Sequence, residues 1–292
     1  MMRGRIVRGV GGFYTVRDAQ GEEYVLRARG RFRRERKTPL VGDEVTFTPG
    51  SGEEHGWLDE ILPRRSECLR PPVANVSLLL IVCAPEPEPD LLLADRLLVR
   101  AAGGGMRAAL VVNKCDLDPS LAQALSRQYA GAGVPVLGVS AKEGTGLQAL
   151  GGVMRGELCC LCGQSAVGKS TLLNALCSLE LKTGALSEKI RRGRHTTRHA
   201  ELIERDGFCV LDTPGFSLLE LEEGMAPEAL RTCYPEFAGR EGACRFAPCL
   251  HDREPGCAVR EAVQAGEISP ERYERYRILL AQVRERWKNR YH

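Results

Sequence analysis

Gly163-Gln164-Ser165-Ala166-Val167-Gly168-Lys169-Ser170 decides how the rest of this chain is read. Its two glycines bracket a turn tight enough for several backbone N–H groups to converge on a phosphate, and a helix starting at Lys169 points its positive end at the same place. The flanks agree. Glu157 to Cys162 is a short apolar run predicted as a buried strand, and Thr171 to Leu176 carries the helix on. In such a loop Gly163 to Thr171 surround the phosphates of a nucleoside triphosphate, Lys169 bridges the β and γ phosphates, and the Ser170 hydroxyl ligates Mg²⁺. A chance match in a chain with 32 glycines is the competing reading, and the strand before and helix after argue against it.

Upstream of this loop, Asn113-Lys114-Cys115-Asp116 follows the apolar run Ala108 to Val112. A carboxylate at Asp116 can accept from guanine N1–H and the exocyclic amine. Adenine offers neither donor and leaves the charge unpaired at a cost of about 1.5–3 kcal/mol. Asn113 would tie this segment to the phosphate loop, and the Lys114 stem would lie along the purine. By itself the segment reads equally well as a helix cap, with Asp116 capping a helix that begins near Pro119. A second strand-like run, Val136 to Val139, ends in Ser140-Ala141-Lys142, where the Ala141 N–H can meet guanine O6. One amphipathic helix, about Ser120 to Ala130, fills the gap. A strand–helix–strand unit puts both loops on the same carboxyl edge of a parallel sheet and favours the base-reading interpretation.

Downstream, the strand Phe208 to Leu211 closes in Asp212-Thr213-Pro214-Gly215. Asp212 would hold Mg²⁺ through water, and the Gly215 N–H would sense the γ phosphate. Gly193-Arg194-His195-Thr196-Thr197-Arg198 is polar, basic and without apolar period. It reads as a segment ordered by nucleotide, with Thr197 completing the Mg²⁺ shell, or as a plain surface loop. The order is base, base, phosphate, switch one, switch two. The usual order begins with the phosphate loop, so the chain is expected to be a circularly permuted GTPase domain using GTP, GDP and Mg²⁺. Because switch two then ends the domain, loss of the γ phosphate is expected to reach the C-terminal segment along the covalent chain.

Cys244-x4-Cys249-x-His251-x5-Cys257 supplies three thiolates and one imidazole within 14 positions, the ligand set of a closed structural zinc site. The segment is rich in Arg, Glu and Pro and has little apolar surface to fold around, so the metal is expected to supply stability. Cys233 is left over. Cys159-Cys160-Leu161-Cys162 contains a Cys-x-x-Cys, but it lies in the strand feeding the phosphate loop, where a thiol acts as a small buried hydrophobe.

The permuted core, the Gly-Arg-His-Thr-Thr stretch and this cysteine cluster together resemble the bacterial GTPases that depend on the small ribosomal subunit and act late in its assembly. The resemblance covers nearly the whole chain. It implies a partner in the small subunit and its rRNA, zinc at the cysteine cluster, and a catalytic role for His195. That role matters because Phe216 stands where many GTPases place a water-orienting Gln. Two positions depart from the family pattern. Ala166 replaces a frequent Gly, which crowds the loop if that residue needs a positive φ, and Arg198 replaces a frequent Thr.

The flanks complete the expected architecture: an α/β chain with an OB-type β-barrel over residues 1–67, the permuted GTPase domain over 68–221 and a helical zinc-binding domain over 222–292. Short alternating runs at Gly4–Val7, Phe13–Val16, Glu23–Leu26 and Val45–Phe47 suggest the barrel, a fold that commonly binds RNA. Arg31-Phe32-Arg33-Arg34-Glu35-Arg36-Lys37 adds five cations, read as phosphate contacts or as a solvated loop. A C-terminal helix from Arg272 carries seven cations against two acids, while the whole chain carries only +3, so basic charge collects at the two ends. No signal peptide or membrane-length apolar stretch stands out, and the cysteine pattern suits a reducing compartment, so a cytoplasmic monomer is expected. The competing functional readings are an rRNA-binding assembly protein with a slow or structural nucleotide site, and a GTPase acting on a protein or membrane partner.

Overall fold

The computed structural model describes residues 1–50, 55–69, 72–181, 201–205, 207–212 and 224–290. Its first five strands are β1 (Met2–Val10), β2 (Phe13–Asp18), β3 (Glu23–Ala28), β4 (Glu44–Thr48) and β5 (Gly56–Ile61), with a short helix α1 (Gly30–Arg34) between β3 and β4. They pair in the order β1-β2-β3-β5-β4, and β4 returns to β1, which closes a small barrel. Closure removes the free edges that an open sheet would expose. Ile6, Val16, Leu26, Val45, Phe47 and Leu58 fill the interior and are fully buried. The strand β5 and the helix α1 are additions to the elements expected from sequence. In Gly56-Trp57-Leu58-Asp59-Glu60-Ile61 both Leu58 and Asp59 are buried, so the apolar–polar alternation that marks a strand is broken.

A hairpin of β6 (Glu67–Leu69) and β7 (Pro72–Ala74) joins the barrel to the next layer. Asn75 pins the junction: its amide donates to the Gly42 carbonyl at 3.0 Å, and its side-chain oxygen accepts from the Arg65 N–H at 2.9 Å.

The central sheet holds β8 (Leu78–Cys83), β9 (Arg107–Val112), β10 (Val136–Gly138), β11 (Leu158–Cys162), β12 (Glu201–Arg205) and β13 (Phe208–Asp212). Their order is β10-β9-β8-β11-β13-β12, parallel except for β12. Every residue of β8 and β11 is buried, as expected of strands covered on both faces. Leu79 and Ile81 face a core shared with α2 (Leu91–Gly103) and α3 (Ser120–Gln128), whereas Leu78, Leu80 and Val82 face α4 (Leu147–Met154) and α5 (Lys169–Leu181). Cys159 and Cys162 fall on opposite faces of β11, so this Cys-x-x-Cys cannot close a disulfide. The barrel and the central sheet are continuous, because Arg8 of β1 pairs antiparallel with Glu201 of β12.

The C-terminal part contains α6 (Pro227–Thr232), α7 (Ala258–Gln264) and α8 (Pro270–Asn289). Tyr276, Leu279, Leu280 and Val283 form an apolar face of α8 and pack with Tyr234, with Phe237 and, on α2, with Val99. The charge of α8 is not deployed as its composition suggests. Arg272 is buried and binds Asp95 of α2 at 2.6 Å and also Glu236, and Arg275 binds the other oxygen of Asp95 at 2.5 Å. Arg277 and Arg284 share Asp252 at 3.2 and 2.7 Å. Four of the seven cations are therefore paired with acids of the protein itself, Arg272 and Arg275 in the interior and Arg277 and Arg284 nearer the surface.

Candidate nucleotide site and metal centre

Because the central strands run parallel, β9, β10, β11 and β13 deliver their following loops to one edge, where α/β sheets bind ligands. The loop after β11 is Gly163–Gly168, and α5 begins at Lys169. Gly163 has φ +125°, and a Cβ there would stand 2.1 Å from the Val82 carbonyl oxygen. Gly168 has φ +90°, and a Cβ there would meet the Asn113 amide at 2.5 Å. Both positions need glycine for conformation and for space. Ala166 sits at φ +63°, the left-handed region that its methyl disfavours, with its side chain exposed. The Lys169 ammonium caps the loop from within, donating to the Gly163 and Gln164 carbonyls at 2.8 and 2.6 Å. Burial holds its pKa below the ordinary lysine value. Gln164 ties the loop to the segment after β8, accepting from the Asp90 N–H at 3.1 Å and donating to the Glu88 carbonyl at 3.0 Å. Val167 is buried beneath the loop, whereas Ser165, Ser170 and Thr171 are exposed at its mouth.

Asn113 does more than its position in sequence suggested. Its amide donates to the Val167 carbonyl at 2.9 Å, and its oxygen accepts from the Ala141 N–H at 3.1 Å. One buried side chain thus clamps the phosphate loop to the Ser140–Lys142 loop. Lys114, at φ +60°, donates to the Ala166 carbonyl at 3.0 Å and to the Glu86 carbonyl at 2.6 Å, joining the phosphate loop to the segment after β8. Asp116 is exposed and accepts from the Ser140 hydroxyl at 2.6 Å, and this bond holds its carboxyl below the usual range. It does not cap the following helix, since Asp118 accepts from the Ser120 N–H at 2.9 Å. Ala141 is partly buried and Lys142 exposed beside it. The structure therefore brings Asn113, Lys114, Asp116, Ser140, Ala141 and Lys142 to the phosphate loop. Asp212 ends β13 at the same edge, and only its backbone is described. His195, Thr197 and Gly215 lie outside the described residues, as do Arg198 and Phe216.

The second constellation lies on the other side of α2. The ligand atoms of Cys244, Cys249, His251 and Cys257 are all within 4.8 Å of one another. His251 Nδ1 is 3.4 Å from the Cys257 sulfur and 3.7 Å from that of Cys244. Edges of about 3.5–3.8 Å are what a tetrahedral zinc with three thiolates and one imidazole requires, so the group fits the metal. His251 is fully buried at φ +57°, and its own N–H donates to the Cys249 sulfur at 3.4 Å, a bond that favours a thiolate there. Burial pushes the Cys249 thiol up to about 12 and raises Cys257 as well. A divalent cation would reverse both shifts by supplying the missing charge. Tyr273 and Tyr276 donate to the carbonyls of His251 and Leu250 at 2.8 and 2.5 Å, anchoring the loop on α8. Cys233 stands apart, its sulfur 3.5 Å from the Ala229 carbonyl.

Comparison with known proteins gives the same outline. The family model described as RsgA N-terminal domain matches residues 3–58, and the one described as RsgA GTPase matches residues 61–222. A relative from Ruminiclostridium cellulolyticum, named small ribosomal subunit biogenesis GTPase RsgA, is 44% identical over 94% of this chain and 92% of its own length. One of the same name from Moorella thermoacetica is 45% identical over 97% of both chains. Among solved structures, YjeQ from Thermotoga maritima superposes with a TM-score of 0.83 at 34% identity, covering 97% of this chain and 98% of its own. YloQ, described as a circularly permuted GTPase, gives 0.82 at 32% identity over 98% and 96%. Among the described residues, no helix is long and apolar enough to cross a membrane.

Proposed function

The chain belongs to the RsgA GTPase family, and from that membership we propose that it hydrolyses GTP to drive its binding to and release from the small ribosomal subunit late in maturation. The observation that carries this reading is the Asn113 clamp, which ties the Gly163–Gly168 loop to the Ser140–Lys142 loop through one buried side chain. Gly163 to Thr171 receive the phosphates, with Lys169 moving from loop carbonyls to the β and γ oxygens. Ser170, Thr197 and Asp212 complete the Mg²⁺ shell. Asp116 pairs with the base, already polarised by Ser140, while the Ala141 N–H meets O6 and Lys142 flanks it. Gly215 senses the γ phosphate, and His195 places the attacking water, since Phe216 has no polar atom to do so.

In this reading the protein has three units, divided at 67/68 and 221/222. The barrel and its Arg31–Lys37 run lie on rRNA, and Cys244, Cys249, His251 and Cys257 hold one structural zinc. It works as a cytoplasmic monomer. GTP turnover by the purified protein, alone and with small subunits, using ATP and large subunits as controls, tests the proposal. Stimulation specific to GTP and small subunits is expected. Turnover that stays at its basal level would leave an rRNA-binding protein whose nucleotide is a slow or structural ligand.

A further inference from the structure

The outer face of the barrel carries a row of side chains that solubility does not call for. Alternation turns Leu26, Val16 and Leu58 inward and leaves Arg27, Phe13 and Trp57 facing out. The register sets these three side by side across β2, β3 and β5, with Phe13 opposite Arg27 and Arg27 opposite Trp57, and Val10 of β1 extends the row beyond Phe13. Trp57 is 43% exposed and Val10 45%. The row is organised as well as apolar. The Arg27 guanidinium lies 4.7 Å over the Phe13 ring, and that of Arg29 lies 5.8 Å over Trp57. Arg29 is held there by buried Asp59, which accepts from its Nε at 2.8 Å and from the Thr48 hydroxyl at 2.6 Å.

Resting on the small-subunit reading above, we infer that this row is a stacking platform for unpaired RNA, in which Phe13 and Trp57 each take the face of one base and Arg27 sits between them. The rings stand about 10 Å apart along the row, two strand spacings, so two bases would not collide. The Phe13 ring also meets the His55 ring edge-on at 4.9 Å, and a base stacks on it by displacing the Arg27 guanidinium. Aromatic faces bind bases whatever their identity, and guanidinium planes add cation–π attraction and phosphate contact. Charge favours RNA over a protein patch. Two acids of this face are already paired, Glu23 with Arg17 at 2.5 Å and Asp59 with Arg29 at 2.8 Å, and the chain leaving β3 runs directly into the cations of Arg31–Lys37. Paired RNA hides its base faces and offers such a row nothing to stack on.

The chain has two tryptophans, so a Trp287→Phe protein leaves Trp57 as the sole reporter. Titration with an eight-nucleotide unpaired RNA should quench its fluorescence, and a duplex of equal length should not. Phe13→Leu should weaken the single-strand affinity about tenfold, and Phe13→Tyr should restore it, with basal GTP turnover unchanged in both. Absence of quenching, or equal affinities for the Leu and Tyr proteins, overturns the platform. So does loss of subunit affinity in Phe13→Leu without any oligonucleotide binding, which points to a protein contact instead. Wild-type turnover with small subunits is measured in parallel. If quenching persists without stimulation, the functional reading fails and the platform stands. If stimulation persists without quenching, the platform alone fails.

Discussion

At Ala166 a single methyl group sits where the backbone favours none. A left-handed φ of +63° costs an alanine about 1–2 kcal/mol, and no neighbour recovers that cost because the side chain is exposed. Glycine would remove the strain but adds freedom to the unfolded chain, so Ala166→Gly should raise stability by up to about 1 kcal/mol. Denaturant unfolding checks this, and a lower midpoint would refute it. The strain was foreseeable from sequence only as a condition, because nothing but coordinates fixes φ. The same holds for Asn113. Its residue type marked the base motif, yet its second bond, to Ala141 N–H, depends on a loop 28 positions away. The two glycines were fully legible, since their spacing alone demands the turn.

At the scale of elements, the seam between α2 and α8 is a buried polar network centred on Asp95, which is fully buried. It accepts from Arg272, Arg275 and the Tyr129 hydroxyl, the last at 2.8 Å. Removing one charge from such a group leaves guanidinium uncompensated in the interior, at about 3–5 kcal/mol. Asp95→Asn should therefore destabilise the protein by roughly 3 kcal/mol in urea unfolding, and a change below about 1 kcal/mol would show that water reaches the seam. The metal loop packed on the same helix should behave oppositely with and without zinc. Bound thiolates compete with protons, so the loaded loop loses stability as pH falls into mild acid. In chelator-treated protein burial raises the Cys249 and Cys257 thiols, Cys249 from 9.0 to about 12. A raised pKa stabilises the fold below the unfolded value and loses that contribution as pH rises through 9 toward 12. Thermal unfolding at several pH values, with and without chelator, should show the two slopes crossing, and identical profiles would argue against a metal. The Cys244, Cys249, His251 and Cys257 cluster was plain in the sequence because its spacing is local. The Asp95 network was not, because Arg272 and its partner are 177 positions apart and a helix reading counts both as surface charge.

Across the whole molecule, the C-terminal core includes Val99 of α2, with Leu92 and Met225 packed against it. Chain order sends switch two directly into this unit. Hydrogen exchange over residues 224–260 should therefore slow in the GTP-analogue state relative to GDP, and equal protection would break the proposed link. The permuted GTPase core, the N-terminal barrel and the C-terminal Cys/His cluster were readable because motif order and residue spacing are one-dimensional facts. The contact between the parts was not, since it is made by residues with no motif. The pairing of Arg8 with Glu201 is such a contact. Glu201 opens β12, whose other edge pairs antiparallel with β13. Arg17 reinforces the join by reaching Glu204 at 2.6 Å. The barrel is thus mounted on β12 as a strain gauge is bonded to a beam: any displacement of that strand would load β1 directly, through the Arg8–Glu201 pairing and the Arg17–Glu204 ion pair.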